Sequence, residues 1–267
     1  VSRITDAFKI ARREERAAFV PYVTAGDPTL ERTVEVAGAL ESAGADVLEL
    51  GVPFSDPMAD GPTNQRAAER ALAAGTSLKR ILEVVREIRE RSQLAIVLFT
   101  YANPVVRFGI ERFAEQAAAS GVDGVLFTDV PAEEMKHFRP ALKSAHLDAI
   151  MLVTPTSTKG RMKAAAKFGG GFLYLVSRTG VTGAQQGLDR ELETNVEKAR
   201  KASRLPVAVG FGISTPEQVA KVAAIADGVV VGSAIVNEIA DEGDTNELAE
   251  RVEAFATPLA QACEKPS

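Results

Sequence analysis

Two carboxylates carry the chemistry legible in the stretch from Val47 to Pro62, VLELGVPFSDPMADGP. Glu49 interrupts a short apolar run of strand type, and Asp60 closes a turn-rich loop that also holds Asp56. Side chains alternate along a strand, so Glu49 shares a face with Val47 while Leu48 and Leu50 take the other. Both faces read as buried, where an ionised carboxylate is costly unless it is paired, solvated at a cleft or used. Two acids in unlike surroundings take different protonation states and different roles. Glu49, among apolar neighbours, is the candidate proton carrier, with a pKa raised by desolvation. Asp60, in a polar loop, is expected to stay ionised. Taken alone, the same residues also fit a strand-end acid paired with an arginine and two turn formers.

A second group is glycine-rich. Gly183, Gly212 and Gly232 with Ser233 lie in loops near the end of the chain, and Ser233 opens a helical pattern. Glycine lets backbone N–H groups approach an anion, and a helix N-terminus turns its unpaired donors toward it. The plain alternative is that these glycines only make turns. A third group shares strand parity with an inward face: Tyr22, Phe99, Tyr101, Leu126, Tyr174 and Phe211. Each fits a simple core residue; together at a barrel mouth they fit a flat aromatic ligand.

These residues need elements to position them. Apolar runs at 19–24, 47–50, 94–101, 124–128, 149–153, 172–176, 207–210 and 228–231 read as strands. Helical patterns follow at 28–44, 65–74 with 78–91, 110–120, 133–145, 159–168, 188–202 and 215–225. Another follows Gly232–Ser233, with a last one over 246–262, and a helix over 2–16 precedes the first strand. Asn103-Pro104 reads as loop. Strands alternating with helices imply a parallel sheet, and eight such units in about 250 residues match a closed (β/α)8 TIM barrel. The reading gives one domain over 1–267, with an extra N-terminal helix and extra helices in the loops after strands two and eight. A doubly wound open sheet is the runner-up, but no strand is followed by a G-x-G-x-x-G turn. Asp46, Asp123 and Asp227 each sit just before a strand, a repeated turn at the barrel floor that reads as stabilising. Catalysis belongs at the opposite face, where the strands end and Glu49 and the glycines gather.

Composition narrows the classes. The chain has 267 residues with a net charge of -5, no basic block and no Trp, against nucleic-acid binding. No run approaches the ~18 apolar residues of a membrane span. The N-terminus, charged from residue 3, reads as an amphipathic helix and not a signal peptide. A single Cys, Cys263, fits a reducing cytosol. His137 and His146 lack metal-pair spacing, so no metal site is expected, and no strand ends in a Lys for Schiff-base chemistry. Acid–base chemistry on a phosphorylated, partly aromatic substrate remains.

Along nearly its whole length the sequence resembles the tryptophan synthase alpha subunit family. The stretches that carry this are FVPYVTAGDP at 19–28, LELGVPFSDPMADGP at 48–62, TYANPV at 100–105, SRTGVTGA at 177–184, GFGIS at 210–214 and VGSAIV at 231–236. The resemblance implies retro-aldol cleavage of indole-3-glycerol phosphate to indole and glyceraldehyde 3-phosphate, in the cytoplasm. It places the acid–base residue at Glu49 and the second acid, on the indole N–H, at Asp60. It puts Tyr174 near the reacting side chain, Phe99, Leu126 and Phe211 on the indole, and Gly183, Gly212, Gly232 and Ser233 on the phosphate. Loop 177–188 matches the family's mobile lid, with Thr182 meeting Asp60 on closure. The implied partner is a beta subunit carrying pyridoxal phosphate in an alpha2-beta2 heterotetramer, this chain having no cofactor of its own. Its docking surface would include 53–60, Asn103 and Pro131. Asn64 stands where the family usually has an apolar residue, and Thr128 where Ala is common. A standalone lyase and a mainly regulatory subunit are the rival roles.

Overall fold

A computed structural model describes residues 2–177, 186–210 and 212–265. Eight parallel strands close into a barrel in sequence order: β1 Ala18–Thr24, β2 Val47–Gly51, β3 Ala95–Thr100, β4 Gly124–Phe127, β5 Asp148–Val153, β6 Leu173–Val176, β7 Val207–Gly210 and β8 Gly228–Val231. β8 pairs back onto β1 through Ala18↔Gly228 to Pro21↔Val231, so no strand edge is left open. The alternation of side chains divides the core in two. Val20, Val47, Val97, Leu126, Ile150 and Ala208 fill the barrel interior, whereas Leu48, Leu50, Ile96, Leu98 and Val209 face the helices.

The helices are α1 Arg3–Arg13, α2 Leu30–Ser42, α3 Pro62–Ala73, α4 Leu78–Arg91, α5 Ala102–Phe108, α6 Ile110–Ser120, α7 Arg139–Ser144, α8 Lys159–Phe168, α9 Gln186–Ala202, α10 Pro216–Ala223, α11 Ser233–Glu242 and α12 Leu248–Gln261. α1 is the extra N-terminal helix; its Ile4 and Phe8 plug the bottom of the barrel, with Phe8 5.2 Å from the Phe172 ring. The extra helices after β2 and β8 are α3 and α11.

Two segments depart from the sequence reading. The stretch around Asn103-Pro104 is a helix, α5, not a loop. Pro104 is its third residue, where the missing N–H has no intrahelical partner to lose, so proline is tolerated in this first turn. The span expected as one helix over 133–145 is a 3-10 turn at Met135–His137 followed by α7. Pro140 lacks an N–H and its ring would clash with the carbonyl four residues back, so a new helix has to begin there.

The barrel floor carries the repeated aspartates. Asp46 Oδ2 accepts from the Phe19 N–H at 2.8 Å, Asp123 Oδ2 from Ile96 at 2.9 Å and Asp227 Oδ2 from Val207 at 2.9 Å. Each carboxylate thus holds the start of the preceding strand, and each also binds arginine: Arg16 on Asp46, Arg89 and Arg3 on Asp123, Arg200 on Asp227. The floor also joins the two ends of the described chain. The Cys263 carbonyl accepts from Ala17 N–H at 2.9 Å, and Arg16 bridges Glu264 in antiparallel fashion. The buried Cys263 thiol is pushed up to about 12 by desolvation.

Candidate active site

Glu49 sits in the middle of β2, paired in register with Tyr22 on β1 and Val97 on β3. The rest of its strand is apolar and buried, and the backbone ladder sets the carboxyl on the inward face. Only 1 % of the residue is exposed, and neither carboxyl oxygen has a hydrogen-bond partner among the described residues. With nothing to stabilise charge, desolvation alone pushes its pKa from an ordinary 4.5 up to about 8. At neutral pH Glu49 is therefore a neutral acid with a proton to give.

Asp60, expected to stay ionised, lies at the end of the β2–α3 loop and is half-buried. Burial raises its pKa, opposed by a hydrogen bond that favours the charged form: the Tyr101 hydroxyl donates to Asp60 Oδ2 at 2.8 Å. The same phenol oxygen accepts from the Ala59 N–H at 3.0 Å, and its ring rests 5.1 Å from Phe54. Tyr101 thus clamps the loop against the end of β3 and aims the aspartate.

The two acids open onto one cavity of about 280 Å³ at the C-terminal mouth of the barrel. Tyr22, Phe99 and Tyr174 wall it, and Gly212, Gly232 and Ser233 edge it. The Tyr22 and Phe99 rings meet edge to face at 5.1 Å. A Cβ on Gly51 would collide with the Tyr22 hydroxyl, and one on Gly210 with that of Tyr174. Both phenols therefore lean over a bare backbone on the next strand. Gly212 has φ +72, a left-handed turn that suits glycine, and Gly232 precedes the first residue of α11. Gly232 and Ser233 edge the cavity, and the N–H groups of a helix's first turn have no intrahelical partner, the chemistry an anion can use.

Leu126 is fully buried in the barrel interior and is not on the cavity wall, and Tyr101 stands behind Asp60. Thr182, Gly183 and Phe211, with most of loop 177–188, lie outside the described residues. The reading of the sequence missed that α3 begins at Pro62 and not at Gln65, which puts Thr63 and Asn64 on the cavity. Pro62 after Gly61 was the available signal, since proline favours the first helical position. The Thr128 hydroxyl reaches the Thr100 carbonyl at 3.4 Å and also bonds the Tyr101 side chain. Among the described residues no helix is long and apolar enough to cross a membrane.

A closed parallel barrel with a desolvated acid inside its mouth, on one cavity with glycine turns and a helix N-terminus, defines the class: a (β/α)8 barrel whose candidate site lies at the C-terminal ends of its strands. Comparison with known proteins gives the family. The family model described as tryptophan synthase alpha chain matches residues 8–264. The chain is 51 % identical to the tryptophan synthase alpha chain of Geobacter sulfurreducens over 262 residues, covering 98 % of this chain and 99 % of the relative. That of Citrifermentans bemidjiense is 50 % identical over 267 residues, covering both chains in full at 100 %. Among solved structures, tryptophan synthase subunit alpha from Legionella pneumophila superposes with a TM-score of 0.90 at 37 % identity, covering 98 % of each chain. A tryptophan synthase structure from Mycobacterium tuberculosis gives 0.90 at 36 %, covering 100 % of each. The chain belongs to the tryptophan synthase alpha chain family. It is a lyase of tryptophan biosynthesis whose reaction is the cleavage of indole-3-glycerol phosphate, and the family implies a beta-subunit partner.

Proposed function

We propose that Glu49 and Asp60 divide the retro-aldol chemistry between them. Neutral Glu49 protonates the indole ring carbon that bears the side chain. Positive charge then develops at the ring nitrogen, where Asp60 accepts the N–H hydrogen bond and stabilises it. The carboxylate left on Glu49 removes the proton of the side-chain hydroxyl next to the ring. The carbon–carbon bond breaks, its electron pair restores the aromatic ring, and the hydroxyl carbon becomes the aldehyde of glyceraldehyde 3-phosphate. Tyr174 flanks the reacting side chain. Tyr22 and Phe99 hold the ring, with Phe211 completing its surroundings; Leu126 lies below in the barrel interior, Tyr101 acts through Asp60, and Gly183, Gly212, Gly232 and Ser233 bind the phosphate. Thr182 meets Asp60 when loop 177–188 closes. The observation that carries the reading is the partnerless Glu49 carboxyl, with a pKa of about 8, inside a cavity edged by glycine turns.

The chain acts with no cofactor of its own, in the cytoplasm, within an alpha2-beta2 heterotetramer whose beta subunit carries pyridoxal phosphate. The segment 53–60, with Asn103 and Pro131, meets that subunit; Met58, 94 % exposed, is a large apolar side chain suited to such a contact. Indole, being apolar, passes directly to the partner. The test is indole release from indole-3-glycerol phosphate by the isolated chain, with and without the beta subunit. Strong stimulation by the partner is expected. Full activity alone would make the chain a standalone lyase, and no activity in either state would make it a regulatory subunit.

A further inference from the structure

Among the described residues, the buried side-chain polar atoms that lack a hydrogen-bond partner are both carboxyl oxygens of Glu49, Asn64 Oδ1 and Thr76 Oγ1. Glu49 and Asn64 share the cavity at the mouth, whereas Thr76 sits against the Gly26 turn, away from it. The chemistry above uses Glu49 and leaves Asn64 without a role. A buried amide oxygen with no donor weakens a fold, and an apolar side chain of the same size would not. No described residue supplies its donor, and the cavity it lines is where a ligand would.

The position of Asn64 says which part of the ligand. Asn64 is the third residue of α3, and Ala67, one turn on along the same face, packs with Tyr22 and Val236 beside Phe99. Val236 belongs to the first turn of α11, the helix whose N-terminus edges the cavity. Asn64 lines the same cavity as the Tyr22–Phe99 wall and the Gly232–Ser233 turn. α3 is held firmly in place: Arg70 donates two 2.8 Å bonds to the buried Asp27, and Ala67, Ala68 and Ala71 are all in the core. An acceptor fixed on the cavity that holds both the ring wall and the Gly232–Ser233 turn is within the space of the carbons that would join ring to phosphate.

We propose that Asn64 Oδ1 accepts a hydrogen bond from a hydroxyl of the substrate's glycerol chain, and so selects hydroxylated indole-alkyl phosphates over hydroxyl-free ones. This rests on the cavity being the cleavage site. The phosphate presents acceptors, and the ring N–H is taken by Asp60, so the chain hydroxyls are the donors left. A site that bonds a hydroxyl discriminates against the analogue without it, because its own polar atom is then stranded.

The experiment uses Asn64→Leu, close in size but without the acceptor. KM and kcat are measured for indole-3-glycerol phosphate, and Kd for an indole bearing a plain propyl phosphate chain. KM for the substrate is expected to rise roughly tenfold. Kd for the hydroxyl-free ligand should hold or tighten, and the thermal midpoint should hold or rise. Asn64→Asp, which keeps an acceptor, should retain the preference for the hydroxylated ligand. A lowered midpoint in Asn64→Leu would mark a structural residue, and equal weakening of both ligands a phosphate contact. Either result, an unchanged KM, or loss of the preference in Asn64→Asp overturns the proposal. Failure of the unmodified chain, with its beta subunit, to cleave the substrate would strike the reading of the reaction instead, so the two failures are distinguishable.

Discussion

At the floor of the barrel Asp123 accepts from the Ile96 N–H, Arg89 and Arg3; at the mouth Glu49, buried still more deeply, accepts from no described residue. Both are acids attached to barrel strands, and the fold treats them in opposite ways. On the floor every aspartate of the repeated turn meets a strand N–H and a guanidinium, so its charge is stabilised where it stands. At the mouth the acid is left unpaired, and its neutral form is the stable one. The difference separates a carboxylate that holds the barrel from one that is available to a ligand. Natural folds tolerate an unsatisfied buried group chiefly where function uses it.

The contrast breaks most visibly at Glu49. Glu49→Gln should lower indole release by about a thousandfold or more, while the folded state holds or gains stability. The pH dependence carries the same sign. Below the ordinary 4.5 both folded and unfolded chains keep this proton; between 4.5 and about 8 only the folded chain does. Stability from this group therefore falls as pH rises through that window, and the Gln variant should show a flatter profile of unfolding midpoint against pH. Normal turnover in this variant would remove Glu49 from the chemistry.

Asp123→Ala is the mirror experiment. It strands the Ile96 N–H and leaves the largely buried Arg89 short of its counter-ion, a loss of about 3 kcal/mol in denaturant unfolding. Activity per folded molecule should be unchanged; a fall in kcat with intact stability would show that the floor takes part in catalysis. Asp60→Asn lies between the two. It should cost about a hundredfold in kcat and leave competitive inhibition by inorganic phosphate as it was. Collapse of phosphate affinity would mean that Asp60 belongs to the phosphate site. The smallest effect is expected from Tyr101→Phe. Removing one hydrogen bond that favours the Asp60 carboxylate, worth about 1 kcal/mol, should move the acidic limb of the kcat/KM profile upward with a few-fold loss of rate.

Much of this contrast was legible in the sequence, for local reasons. The parity of Val47-Leu48-Glu49-Leu50 put the acid inside the barrel, and the repeated Asp before a strand marked the floor as structural. What stayed hidden depended on contacts distant in the chain, or on prolines that mimic loops. Pro104 disguised α5, and Pro140 divides what patterned as one helix. The half-buried state of Asp60 needs Tyr101, contributed from the end of another strand. That Asn64 Oδ1 has no partner among the described residues is a property of the assembled mouth, and no window of sequence contains it.

Cys263 links the floor to an accessible measurement. Its thiol is desolvated at the seam between α12 and β1 and holds its proton to about 12, so the intact protein should ignore alkylating reagents at ordinary pH. Alkylation then becomes a clock for the unzipping of that seam. Run on the Asp46→Ala protein, which takes away the carboxylate shared by Arg16 and the Phe19 N–H, the clock should tick faster than in the parent, timing how firmly the barrel keeps its two ends tied.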